Sequence, residues 1–510
     1  MTIASAIQDL NDGLLDAYTA IGAKGGTIPA NKNLDNLPTA ISSISGGGGE
    51  PTKKDVNFYD YDGTFIIGYA YDELASLSEL PQLPSHPDKE IIATNWTSTL
   101  AQVKAVTSPN KLDVGAVYSP MVNGAASDAT VLYIRPEKNV ALTMTFSQSV
   151  SDGVTIDWGD GSTAETVAGT GAVNATHTYA GITAETKITI TPDTGCNLIL
   201  GFNGAANKSM FGATSAADNP QIVRASIGRA TIGSHVFYYM AGMEEVTISS
   251  NVASIGNNAF RCCYALTSVV VPNSVTLIDG GAFYSCQSLA SAIIPNSVPD
   301  FNGSLFANCY ALTSVTIPNG VRTIGSSVFN RCYTLASVVI PNSVTLIGTS
   351  TFAYCSALTS VVIPNSVTNL GSRAFEACSA LSDITISNSV SNTGEYLFSS
   401  CTSLTSVTIP NSMGRIYNAT FDSCYALTDI KFEDRTSVPI YYWLTSNNRV
   451  KVLDFTDCEQ VPTMSDGSFL SNLKPYTNIV VPDALYNDWI VATNWSSKAG
   501  QIVKESDYEG

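Results

Sequence analysis

The chain has 510 residues, 44% of them hydrophobic and only 13% charged, with a formal net charge of −18. That length exceeds what one hydrophobic core usually holds, and an acidic surface repels phosphate backbones, which argues against nucleic-acid binding. No apolar run approaches the ~18 residues of a membrane-spanning helix, so no membrane insertion is expected. The opening Met1-Thr2-Ile3-Ala4-Ser5 lacks the basic and apolar regions of a secretory leader, so export by the general secretory route is not expected.

In residues 1–45, Ile3, Ile7, Leu10, Leu14, Ala17 and Ile21 follow a 4-3-4-3-4 spacing. This is a heptad seam, predicting a helical segment that associates with itself, as a trimer, or docks on another protein. The seam is short and Gly13 weakens it, so both outcomes stay open. Residues 46–54 begin with four glycines and read as a flexible linker. The opening segment resembles the amino-terminal segments of structural proteins from bacteriophages of gut bacteria. That resemblance implies attachment to other virion proteins.

Residues 55–108 are predicted to form a small α+β module. Val56-Asn57-Phe58-Tyr59 and Thr64-Phe65-Ile66-Ile67 flank Asp62-Gly63, a hairpin signal. Ala93-Thr94-Asn95-Trp96 has a near copy in Ala492-Thr493-Asn494-Trp495, and both tryptophans are read as anchors of small caps rather than ligand platforms. Residues 109–196 alternate apolar and polar positions in several runs, predicting a β-sandwich. They contain the turn Asp157-Trp158-Gly159-Asp160-Gly161-Ser162 and a later His177-Thr178-Tyr179. This pattern resembles the polycystic-kidney-disease domain, an immunoglobulin-like sandwich, and implies a spacer or adhesion unit. Asp157 and Asp160 invite calcium, but aspartate in such a turn more often bonds its own backbone. Residues 197–221 are read as a connector.

From residue 222 to 482 the sequence repeats. Phe followed three positions later by Cys recurs at Phe260/Cys263, Phe283/Cys286, Phe306/Cys309, Phe329/Cys332, Phe352/Cys355, Phe375/Cys378, Phe398/Cys401 and Phe421/Cys424, a step of 23 residues throughout. Leu266, Leu289, Leu312 and their equivalents follow, then a β-branched run closed by Pro-Asn. A unit this short cannot bury its own apolar side, so stacking in register is required, with Phe, Cys and Leu as internal columns. One short strand per turn would build a long parallel sheet, and eleven turns at ~4.8 Å would make a rod roughly 50 Å long. Units such as AFYSCQSLASAIIPNSV resemble the BspA-like class of bacterial leucine-rich repeat. The expected fold is thus multidomain: an α/β-type leucine-rich repeat solenoid of mostly β and coil, preceded by the sandwich and the helical segment and closed by a cap at 483–510.

Eleven cysteines suggest disulfides, yet eight occupy one column, where free cysteine serves as a small buried hydrophobe. Neighbouring thiols point the same way and no histidine accompanies them, so neither a disulfide ladder nor a metal site is expected. No catalytic motif, phosphate loop or dinucleotide fingerprint is present. The repeat strands carry few acids, and Glu376, Asp383 and Asp429 stand in different turns or columns. We expect no enzyme, metal or cofactor. Along the strands Leu266, Val269 and Val271 would face in, and Thr267, Ser268 and Val270 out. Tyr264, Tyr310, Tyr333 and Tyr425, each following a column cysteine, are the candidate ligand-facing row, though consensus packing would also explain them. The expected function is a bacteriophage head or tail fibre, located in the virion, that adheres to a bacterial surface receptor or glycan. The alternative is a cell-surface adhesin of a gut bacterium, and the third reading is a surface-polysaccharide depolymerase.

Overall fold

The computed structural model describes residues 56–508 apart from 61–64, 85–90, 97–99, 105–111, 123–124, 127, 136–140, 180–184, 202–207, 213–220, 414–415, 418, 435–436, 439–448 and 465–472. The heptad residues Ile3, Ile7, Leu10, Leu14 and Ile21, and the trimer expected from them, lie outside the described residues.

The first sheet contains β1 (Val56–Tyr59), β2 (Phe65–Tyr69), β3 (Ile91–Trp96), β4 (Leu112–Val122) and β5 (Ala125–Ala126), in the order β2-β1-β4-β3 with β5 paired to β4. β1 and β2 pair antiparallel across the Asp62-Gly63 segment, and β4, which joins β1 to β3, lies beyond residue 108. Its small core holds Phe58, Leu74, Trp96 and Val114, with the Trp96 Nε1–H donating to the Pro81 carbonyl at 2.9 Å.

Two six-stranded sheets follow. They use β6 (Thr130–Arg135), β7 (Ala141–Gln148), β8 (Val154–Asp157), β9 (Glu165–Thr166), β10 (Gly171–Thr178), β11 (Thr186–Pro192), β12 (Leu198–Leu200), β13 (Gln221–Ile227) and β14 (Thr231–Ile232). In one sheet β10, β7 and β12 are antiparallel, β12 then pairs parallel with β14, and β14 continues parallel into the next repeat strands. In the other, β6 pairs antiparallel with β11 and β13, and β13 pairs parallel with Glu245–Ile248. Both sheets therefore run from the preceding segment straight into the repeats. One hydrophobic core extends from Leu132 to Ile502. β12 falls in the stretch read from sequence as a connector, where Leu198 and Leu200 point into this shared core.

The repeats form a β-solenoid of about 11 turns with little helix. The turns build two parallel ladders, each interrupted along the axis, rather than the single one expected. The longer is set by runs such as Ser360–Ile363, paired in register with Asp383–Ile386; the shorter by pairs such as Thr323–Ile324 on Leu346–Ile347. The short ladder is interrupted between Leu277–Ile278 and Asp300–Phe301. Pro299 stands there where other turns have Thr276, Arg322 or Thr345, whose N–H groups donate to the preceding turn; proline has none to give.

The third side of each turn is neither strand nor helix. Asn258, Phe260 and Cys262 donate their N–H groups to Gly280, Ala282 and Tyr284 of the next turn, at 3.1, 2.8 and 2.8 Å. Two residues per turn on this side sit in the left-handed region, as Asn258 (φ 52) and Cys262 (φ 61), Arg373 (φ 59) and Ala377 (φ 56) show. They curl the chain so that alternate amides point along the axis while the others bond three residues back within the turn. Gly281 is the one glycine among these positions; the rest accept the strain.

At the far end Trp489 and Trp495 are fully buried and lie against Phe455, whose ring stacks on Phe432 at 4.5 Å. The Trp495 Nε1–H donates to the Pro462 carbonyl at 2.8 Å, the counterpart of the Trp96 bond to Pro81. Ile502–Lys504 then adds a last parallel strand beside Asn478–Val481. No described helix is long and apolar enough to cross a membrane.

Candidate functional site

The columns named from sequence are the inside of the solenoid. Phe260, Phe283 and Phe306 are fully buried, and their rings belong to a stack running from Phe237 to Phe421 with centroids 5.1 to 5.9 Å apart. Leu266, Leu289 and Leu312 are also fully buried. Cys263, Cys286 and Cys309 do more than fill volume. Each column thiol donates to the phenylalanine carbonyl 26 residues earlier, over 3.1 to 3.3 Å, giving that oxygen a second partner beside the column's own N–H. Burial keeps the proton in place, pushing the Cys378 thiol up to about 12. The described cysteines are all free and buried.

The motif halves at Trp158 and Tyr179 meet. The Trp158 ring stacks on His177 at 5.0 Å, and the Tyr179 hydroxyl donates to the Trp158 carbonyl at 3.0 Å. The Asp157 carboxylate accepts from Gly159 N–H, and Asp160 accepts from Ser162 N–H and contacts His177 Nε2 at 2.7 Å. The Ser162 hydroxyl first, and then His177, hold the Asp160 carboxyl down at about 2. Both carboxylates are thus committed to the turn, and among the described residues no three metal-ligating groups cluster.

The outer face of the long ladder changes along the axis. At its start Val270 and Ile293 point outward as expected of their column, yet they are buried, because Tyr59 of β1 covers them. This corrects the expectation that Val270 faces solvent: the β1–β5 sheet lies against the first repeats. Farther on, Thr359, Ser360, Val362, Ser382, Asp383, Thr385, Thr405, Ser406 and Thr408 are exposed, Val362 by 63%. The threonine hydroxyls nearest the strand entrances bond the preceding turn, as Thr313 does to the Ala290 carbonyl at 3.3 Å.

Of the four candidate tyrosines, only Tyr310 and Tyr333 stack on one another, at 5.1 Å. Tyr264 lies beside Tyr239, and burial with the Cys262 contact raises its pKa. Tyr425 stands four repeats beyond Tyr333 and is exposed. A second aromatic feature escaped the sequence reading: Arg261 lies over Tyr284, Arg331 over Tyr354 and Arg373 over Tyr396, at 4.3, 5.5 and 4.6 Å. The pairs sit on the left-handed side, whose columns vary too much to show as a motif. Among the repeat acids, Glu376 is paired with Arg373, while Asp383 and Asp429 open strands two turns apart with Ser406 between.

A family model described as "BspA type Leucine rich repeat region" matches residues 230–359 and 345–474, in six copies. Residues 230–474, the greater part of the solenoid, are thus similar to BspA-type leucine-rich repeat regions. Among solved structures, a leucine-rich repeat protein from Bacteroides ovatus is 21% identical over 54% of this chain and 75% of its own, with a TM-score of 0.31. A leucine-rich cell-surface protein from Faecalibacterium prausnitzii is 24% identical over 56% and 86%, also at 0.31. The pneumococcal vaccine antigen PcpA is 16% identical over 55% and 75%, at 0.36. No curated protein matches the chain.

Proposed function

We propose that this leucine-rich repeat protein is a non-enzymatic adhesin that presents one face of its solenoid to a bacterial surface or glycan. The observation that carries this reading is the exposed face from Thr359 to Thr408, repeated at 23-residue steps and held on a core continuous from Leu132 to Ile502. Such a face has many shallow, repeated contact points and little cost of ordering on binding. The bacterial cell surface is the setting favoured by the repeat type. The narrower reading, a bacteriophage fibre anchored to other virion proteins through residues 1–45, rests on residues outside those described. Residues 109–196 as a polycystic-kidney-disease-like sandwich belong to the same proposal, supported by the contact of Trp158 with His177 and Tyr179.

The test is adhesion of the full chain, coated on beads, to gut bacterial cells and to mucin, with released reducing sugar measured in parallel. Retention of beads without sugar release is expected. Sugar release from cell-surface polysaccharide would overturn the non-enzymatic reading in favour of a depolymerase.

A further inference from the structure

The open face of the long ladder ends in a groove of about 760 Å³ that none of the four consensus-column tyrosines lines. Its floor is Val452, buried, and Val503 of the last strand. Asp429 and Asn478 stand in register on either side of Val452 at successive strand entrances. Lys451 precedes Val452, and the exposed Tyr476 ring forms one flank. Asp507 and Tyr508, which follow the last strand, also line the groove.

We propose that this groove binds the terminal units of a neutral saccharide; the proposal deepens the adhesion reading and rests on it. The volume is that of a small-ligand site. Two carboxylates offer acceptors for adjacent hydroxyls, while the Asn478 amide and Lys451 ammonium donate to hydroxyl or ring oxygens. Two tyrosines present flat faces with polar tips, suited to the C–H face of a pyranose. Other ligand classes fit less well. An anionic sugar or phosphate meets two carboxylates against one ammonium. A lipid finds only the two valines. A basic peptide would gain from the two carboxylates but lose at Lys451, and competition with polylysine tells it from a saccharide.

The backbone that carries these groups is held before any ligand arrives. Lys451 N–H donates to the Thr428 carbonyl and Asn478 N–H to the Lys451 carbonyl, both at 2.7 Å. The Thr428 hydroxyl donates to the Asp429 carboxylate. The tail is tied back by Ser506 N–H on Asp483 Oδ1 at 3.0 Å. Preorganisation of this kind lowers the cost of binding.

The experiment applies the full chain to an array of neutral, sialylated and sulfated glycans, with polylysine as competitor, and to whole bacterial cells. Tyr476→Ala and Asp429→Ala are compared with Val150→Ala, and melting temperatures check that each variant is folded. Neutral glycans should bind, Tyr476→Ala should weaken them at least about tenfold as loss of an aromatic anchor does, and Val150→Ala, at an exposed position upstream of the repeats, should leave them unchanged. Cells should follow the same order if their glycans are the source of the ligand. Preference for acidic glycans, displacement by polylysine, or neutral-glycan binding untouched by Tyr476→Ala and Asp429→Ala overturns the groove. Cell adhesion that survives both variants refutes the groove and leaves the adhesin reading standing. Glycan binding by a chain that adheres to neither cells nor mucin supports the groove and refutes adhesion.

Discussion

At the scale of single residues, two side chains that sequence reading treats as bland have specific bonds. The cysteine column reads as apolar filler, and burial agrees, but the S–H group also supplies the second hydrogen bond to each phenylalanine carbonyl. Cys309→Ala should therefore cost about 1–2.5 kcal/mol, a small cavity plus a lost bond. Cys309→Ser, which keeps a donor, should cost less, and chemical denaturation of the two variants checks the order. Asp160 carries the other specific contact. Its folded-state pKa, at about 2, is below the ordinary carboxylate value near 3.9, so its contribution is full above that value and is lost as pH falls toward 2. The melting-temperature gap between the wild type and Asp160→Asn should be constant above about pH 5 and close between about pH 4 and pH 2. The 23-residue period made the cysteine column visible, whereas the thiol's acceptor lies in the preceding turn and leaves no local sequence signature.

At the scale of elements, the turns are held by close approach on one side and by left-handed backbone on another. A Cβ at Gly348 would lie 2.6 Å from the Gly325 carbonyl carbon and the Ser326 nitrogen. Gly348→Ala should destabilise by about 1–3 kcal/mol, the usual cost of overpacking. Ala377 is the converse, an L-residue held at φ 56. Ala377→Gly should leave stability unchanged or raise it by up to about 1 kcal/mol, because relief of the left-handed strain offsets the extra entropy of glycine when unfolded. Thermal unfolding of both variants reads these opposite signs. The strand carrying Val and Ile was legible because it alternates with period two. The left-handed ladder was not, since its special positions hold His, Asn, Ser, Arg, Tyr, Cys and Ala and, among the described residues, only once glycine. Pro299 marks the break in the short ladder, but that meaning appears only once the ladder is known to exist.

At the scale of the whole molecule, both ends of the solenoid are sealed. The upstream sheets change from antiparallel to parallel pairing at β12 and β13, and so pass their edges to the first repeats. The downstream core is plugged by Trp489 and Trp495. Closing the core matters because a stack of repeats otherwise ends on exposed apolar surface. The repeat array was readable from its columns, and the tryptophan copy hinted at capping. The shared core of repeats and upstream sheets was not readable, because β12 is three residues long with no pattern of its own. Nor was the cover of Tyr59 on Val270 and Ile293, a contact between residues some 200 positions apart. That cover leaves the later turns as the open face, and the central claim is that this face meets the target surface. The direct test replaces Val362, Thr385 or Tyr476 in turn with a photoreactive benzoylphenylalanine, with Ile67 and Val150 on the upstream sheets as controls. Each full-length variant is irradiated on bacterial cells. Covalent adducts to surface polymer from the three solenoid positions, with none from the controls, are the predicted result; adducts from Ile67 or Val150 alone would contradict it.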